Sequence, residues 1–346
     1  MNRFATSYRY EMKKLLIVRK GWIFLLVILL GQIGIASFAK PSEIYTFDKG
    51  LYTGYVEHYG GEYSAETEEA IQAEMIELAE AMQQSDPAEM TSVFEMEEQS
   101  DKQLLNSMKN NAMIELQAKY SRLASCSEFQ PVLTYDIELT DYVKKFGISW
   151  ASLIGMMFLI PMLMLGDTNC GMEQILFTTA TGRKTIVRAK LLAAVSIGFG
   201  VTAICSVLQW TIMSARWDFG KLDIPIQSIS GFESCTVNIS VKECILLFGV
   251  IRILSAPAVA LMLCALSSLI RKEPAIIASA AILIGSSAFT AERFMSLSPY
   301  CLFSAFSGIG AAVSYSVADI LLLVSILLLK ILLLAIIAQM LANKKR

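Results

Sequence analysis

A single histidine, His58, limits the chemistry open to this 346-residue chain. Zinc sites of the HExxH kind need two histidines one helical turn apart, and polyhistidine metal sites need more. A Ser-His-Asp triad would have to run through His58. That residue lies in the aromatic stretch "YTGYVEHYGGEY" (52–63), with no nucleophile elbow nearby. "GRKT" at 182–185 resembles the end of a phosphate-binding loop, but both GK[ST] and the glycine four residues earlier are missing. The seven cysteines are scattered, without a CxxC or Cys/His cluster for a metal. The sequence therefore implies no catalytic constellation, no cofactor site in this chain and no nucleic-acid partner. The remaining ionisable groups of interest are two cations in strongly apolar surroundings, Arg252 and Lys330.

The elements around these residues explain why so little polar chemistry is present. The chain is 55% hydrophobic and only 17% charged, with a mean hydropathy of +0.53. Soluble domains carry about a quarter charged residues, and several runs here reach the roughly 18 to 20 apolar residues that cross a bilayer as an α-helix. The fold expected is an all-α polytopic membrane protein with six transmembrane helices, at 22–39, 148–165, 191–213, 246–270, 275–291 and 318–341. The run 22–39 exceeds the apolar core of a cleaved signal peptide, so it is read as a retained signal anchor. Lysine and arginine collect before span one, in the connector 166–190, at Arg271 and Lys272, and in the tail 342–346. With six spans all four basic segments share one side, which the positive-inside rule makes cytoplasmic, with both termini inside the cell membrane.

Within this frame the other segments acquire roles. Residues 1–21 are expected to form an amphipathic interfacial helix. Phe4, Tyr8, Met12, Leu15 and Leu16 share one face, and Arg9, Lys13 and Lys20 lie largely opposite, toward anionic lipid. Glu11 and Arg19 break that pattern. Residues 40–147 are the acidic, extracellular part. Its aromatic start fits either an interfacial belt or the packing of a small domain. Ile71, Met75, Leu78 and Met82, then Leu105, Met108, Ala112, Leu116, Tyr120 and Leu123, predict two helices in a hairpin broken at "SDP" (85–87). The stretch 214–245 is a short outer loop. Residues 292–317 are too apolar for a water-exposed loop and too broken for a span, so a re-entrant or outer segment is expected. Arg252 is expected to snorkel to the outer interface. Lys330, deeper in span six, is expected to face the bundle or a partner. Cys205 and Cys264 lie in spans as small packing residues. A disulfide is permitted on the outer side, where Cys126 and Cys235 lie most clearly and where Cys244 and Cys301 are close.

The stretch "DTNCGMEQILFTTATGRKTIVRAKLLAA" (167–194) resembles the connector between spans two and three of ABC-2 type exporter permeases. Gly171, Leu176, Thr178, Arg183 and Lys190 stand at matching positions, and Asp167 matches one of the leading acids. Asn169 stands where a second acid is common, and Ala180 where a proline often occurs. The amphipathic start, the six spans and the broken segment before span six are also similar to that family. The resemblance implies a permease subunit that exports a lipid, peptide or antimicrobial compound. It also implies a homodimer or a heterodimer with a related permease, and a separate ABC ATPase subunit that binds the ATP and magnesium. The connector would be where that ATPase docks: Glu173 and Arg183 offer directional charge, and Lys190 a phosphate-level anchor at the membrane boundary. The other function class open to the chain is a membrane-anchored sensing or interaction protein whose extracellular helical domain binds a ligand or partner.

Overall fold

A computed structural model describes residues 3–41, 47–83, 93–146, 149–169, 171, 182–293, 301, 306 and 317–344. Where apolar residues run on without a breaker the chain is helical, and among the described residues five helices are long and apolar enough to cross a membrane: Gly21–Phe38, Trp150–Thr168, Lys184–Ser214, Val241–Leu269 and Ile320–Asn343. The chain is thus an all-α protein of the polytopic membrane class, with almost no sheet. These helices lie over the stretches read as spans one, two, three, four and six. The stretch read as span five lies on a helix, Glu273–Arg293, whose described apolar part, Glu273–Ser287, is shorter.

In chain order the helices are α1 (Arg3–Lys13), α2 (Gly21–Phe38), α3 (Lys49–Tyr59), α4 (Ala65–Gln83), α5 (Val93–Ala124), α6 (Ile137–Phe146), α7 (Trp150–Asn169), α8 (Gly182–Ser214), α9 (Val241–Leu269), α10 (Glu273–Arg293) and α11 (Val317–Lys344). A short antiparallel ribbon pairs β1 (Gly61–Glu62) with β2 (Val132–Leu133). The chain divides into two compact units. One comprises Met1–Ala39, Lys144–Arg216 and Ile245–Arg346, and the other Lys40–Val143 and Trp217–Cys244.

The first unit is a helix bundle. Its core is built by Leu15, Met156, Leu159, Ile160 and Leu163 with Ala193, Ala194, Ala260 and Leu263, all under 2% exposed. Small residues bring the helices close: a Cβ at Gly198 of α8 would stand 3.1 Å from Ala260 and 3.2 Å from Met156. Pro161 and Pro257 sit inside α7 and α9, as membrane helices tolerate when neighbours re-satisfy the backbone. α8 has 33 residues, roughly 50 Å at 1.5 Å per residue against about 30 Å of hydrocarbon. The sequence boundary of 191 for span three reflects hydropathy. No proline or glycine interrupts 183–190, so the helix simply continues back through the basic residues to Gly182.

The second unit has its own core of Tyr52, Val56, Ile71, Ala112, Leu116, Tyr120 and Leu123. The aromatic start of the unit therefore packs: Tyr52 is 2% exposed, and the Phe47 and Tyr52 rings lie 4.9 Å apart. α3 begins on a side-chain cap, Asp48 accepting from Leu51 N at 2.8 Å. Tyr120 Oη accepts from Ser64 N and donates to Ser64 O, both at 3.0 Å. The two outer segments of the sequence reading belong to this one unit, and polar contacts tie them. Asp136 accepts from Ser230 N at 2.7 Å and pairs with the buried Lys119 at 2.6 Å. Ser228 Oγ accepts from Val132 N at 2.9 Å, and Arg122 meets Glu233 at 3.3 Å. No disulfide makes this tie. Cys126 and Cys235 are free, buried thiols, donating to Leu123 O and Val237 O respectively. The "SDP" break lies outside the described residues.

Candidate functional site

The residues expected to carry function cluster around the connector, and the structure fixes both of its ends. α7 runs to Asn169, and Gly171 then takes a left-handed conformation with φ +68°, its N–H bonded back to Thr168 O at 3.1 Å. Glycine adopts that backbone without cost and commonly closes a helix. Glu173, Leu176, Thr178 and Ala180 lie outside the described residues. Arg183 falls on the first turn of α8, and Lys190 two turns further along the same helix.

Asp167, in the last turn of α7, is the centre of the site. Its side chain is 3% exposed, and three cations converge on it. Lys190 Nζ stands 2.7 Å from Oδ2, and Arg19 Nη2 stands 3.0 Å from Oδ1. Lys14 Nζ pairs with Oδ1 as well, and Arg19 Nη1 donates to the carbonyl of Met162. A buried carboxylate is tolerable only with such partners, and the cations are equally costly to strand.

The local fold explains how Lys14 and Arg19 reach the same acid. Residues Lys14–Val18 wind as one π-helical turn, closed by Arg19 N donating to Lys14 O at 3.0 Å. The i to i+5 register places residue 19 over residue 14, which an α-helix would not do. Lys20 then adopts φ 55°, turning the chain into α2. On the α7 side Gly166 leaves the necessary space: a Cβ there would collide with the Arg19 guanidinium. Upstream, Tyr8 Oη donates to Ser196 Oγ at 3.1 Å, and Leu15 is fully buried. α1 therefore lies against α8, and the π turn against α7.

Two expectations change. Lys190 is no phosphate-level anchor: it is 8% exposed and engaged with Asp167. Lys14 and Arg19 turn inward, while among the described side chains of the segment Arg9, Lys13 and Lys20 are exposed. Arg19 is one of the two exceptions on the helical wheel, and the π turn brings Lys14 to the same acid. Arg252 does not snorkel outward and is 5% exposed within the protein. Its position near the middle of α9, rather than at its end, keeps it there. Lys330 is half-buried on α11, beside Ile331 and Leu334, which pack on Ala258. Among the described residues no group of His, Cys, Asp and Glu could hold a metal. The sequence signalled Asp167 as a motif acid but not its partners, which lie up to 153 positions away, Lys14 being the most distant.

The capacity of the arrangement is mechanical, since one carboxylate joins the end of α7, the start of α8 and the segment before α2. No family model, no curated protein and no solved structure matches the chain.

Proposed function

We propose that the chain is the membrane-spanning subunit of an ABC-2 type exporter, working with a separate ATPase that holds ATP and magnesium. The reading places six spans in the cell membrane, both termini and the connector in the cytoplasm, and 40–147 outside as a helical hairpin domain. Two copies, or two related chains, would form the pathway for a lipid, peptide or antimicrobial compound. The observation that supports it most is the bracing of the connector. Asp167 and Lys190 join its two ends at 2.7 Å, so a push on residues between them moves α7 and α8 as one body. Rigid-body displacement of packed helices is how such a push would travel.

The test is charge reversal on the connector. Glu173→Lys together with Arg183→Glu is expected to abolish ATPase co-purification and substrate-stimulated hydrolysis at unchanged expression. A loss at unchanged expression and unchanged thermal midpoint would report on docking. Unchanged binding and hydrolysis would remove the connector from any coupling role. A second reading, a membrane-anchored sensor, draws on the independent core of the second unit. Purification from the native membrane separates the two, by a stoichiometric ATPase in the first case and its absence in the second.

A further inference from the structure

The N-terminal segment has the composition of a membrane-surface helix, yet its charge is split between two destinations. Arg9, Lys13 and Lys20 are exposed, whereas Lys14 and Arg19 are turned onto Asp167. Both sets are attracted by an anionic surface, because basic residues beside one are each drawn to it. Among the described basic residues of the segment, Lys14 and Arg19 are the ones that pair with an acid inside the protein. α1 itself packs along α8, with Tyr8 on Ser196, Met12 partly buried, and Glu11 and the following Leu15 buried.

We propose that Asp167 is a latch that keeps the basic N-terminal segment on α7 and α8 against the pull of anionic lipid. With the carboxylate present, Lys14 and Arg19 are held at contact distance by a buried anion that they share with Lys190. Without it, both become cations that gain by leaving for the lipid surface, and the segment moves with them. The position of α1 is therefore independent of membrane charge in the native chain and dependent on it once the latch is removed. The inference rests on the helices spanning a membrane but not on the transporter reading, and its test uses neither ATPase nor transport.

The full chain carrying p-benzoylphenylalanine at position 8 is reconstituted into vesicles of phosphatidylcholine alone or with phosphatidylglycerol. Photocrosslinking to the peptide containing Ser196 is then quantified by mass spectrometry. The native chain is expected to give the same yield in both lipids. Asp167→Asn is expected to keep its yield in phosphatidylcholine and lose it roughly thirtyfold when phosphatidylglycerol is added, the scale set by the attraction of two cations to an anionic surface. A native yield that falls with phosphatidylglycerol overturns the latch, as does an Asp167→Asn yield with no lipid dependence. Should Asp167→Asn fail to fold, Lys14→Gln with Arg19→Gln decides, because Asp167 then keeps Lys190 and no buried cation is stranded. That variant is also expected to lose yield on adding phosphatidylglycerol, because its ties to Asp167 are gone while Arg9, Lys13 and Lys20 are still drawn to the lipid. A yield independent of lipid charge in that variant would refute the latch.

Discussion

Asp167 and Gly166 sit side by side and make opposite demands, one needing partners and the other needing emptiness. Replacing Asp167 by Asn leaves three inward cations without their anion, and removing one side of a buried ionic cluster costs about 3–5 kcal/mol. A lowered thermal midpoint in detergent micelles is the expected result, larger for Asp167→Asn than for Arg19→Gln, which leaves the acid two lysines. Gly166→Ala drives a methyl group into the Arg19 guanidinium, and overpacking of this kind costs about 1–3 kcal/mol. Gly31→Ala in α2 meets nothing within 4 Å and is expected to be neutral or slightly stabilising, since glycine inside a helix costs about 0.5–1 kcal/mol. Equal midpoints for the two alanine variants would contradict the packing described for Arg19. Asp167 was legible in the sequence as a motif acid, and Arg19 as an exception on the helical wheel. Their pairing was not, because it needs a π turn that no residue pattern announces and a partner 148 positions away.

At the scale of elements, periodicity located α4 and α5 and most of their buried faces. Ile71, Ala112, Leu116, Tyr120 and Leu123 are all buried as the spacing implies. Met82 and Leu105 are 40% and 45% exposed. What the spacing could not supply is the polar stitching to 217–244. Asp136→Asn is expected to destabilise the second unit by about 3 kcal/mol, through its buried lysine. Lys49→Met, which removes a pair whose lysine is 42% exposed, should cost under about 1 kcal/mol. Hydrogen exchange of the α5 and α6 amides in the full chain distinguishes them. In the same unit, burial and the hydrogen bond to Glu74 push the Tyr59 phenol up to about 12. A raised phenol favours the protonated folded form, so its contribution is complete below the unfolded value near 10 and is lost as pH climbs toward 12. Tyr59→Phe should flatten that part of the alkaline stability curve. A curve as steep as that of the native chain would show that other groups cause the loss.

Across the whole molecule, the helices differ in how much protein covers them. Only 17% of the α2 window and 11% of the α11 window are buried, against 72% for α7, so α7 is central and the other two present most of their surface outward. Hydropathy finds all three helices equally well and says nothing about which one is enclosed. That ordering depends on contacts such as Gln32 with Ser149 at 3.2 Å, which join residues 117 positions apart. The topology that follows from charge can be checked with an impermeant thiol reagent on intact cells. Gln72→Cys, exposed on α4, should label at once, and Lys184→Cys, exposed on α8, only after permeabilisation. Cys126, Cys205, Cys235, Cys244 and Cys264 are buried, and replacing Cys170 and Cys301 by serine in both variants should leave a low background. Labelling in the reverse order would invert the orientation and place the connector on the wrong face for an ATPase.

The Arg19–Asp167 contact also bears on how the chain is made. The donor leaves the ribosome 148 residues before its acceptor, an interval on the order of ten to thirty seconds at cellular elongation rates of about 5–20 residues per second. Throughout that interval Arg19 lacks its acid, and the first segment completes its packing only when α7 and α8 have been made. A newborn chain stalled before residue 167 should therefore carry an N-terminus open to proteolysis, and one released after residue 214 should not.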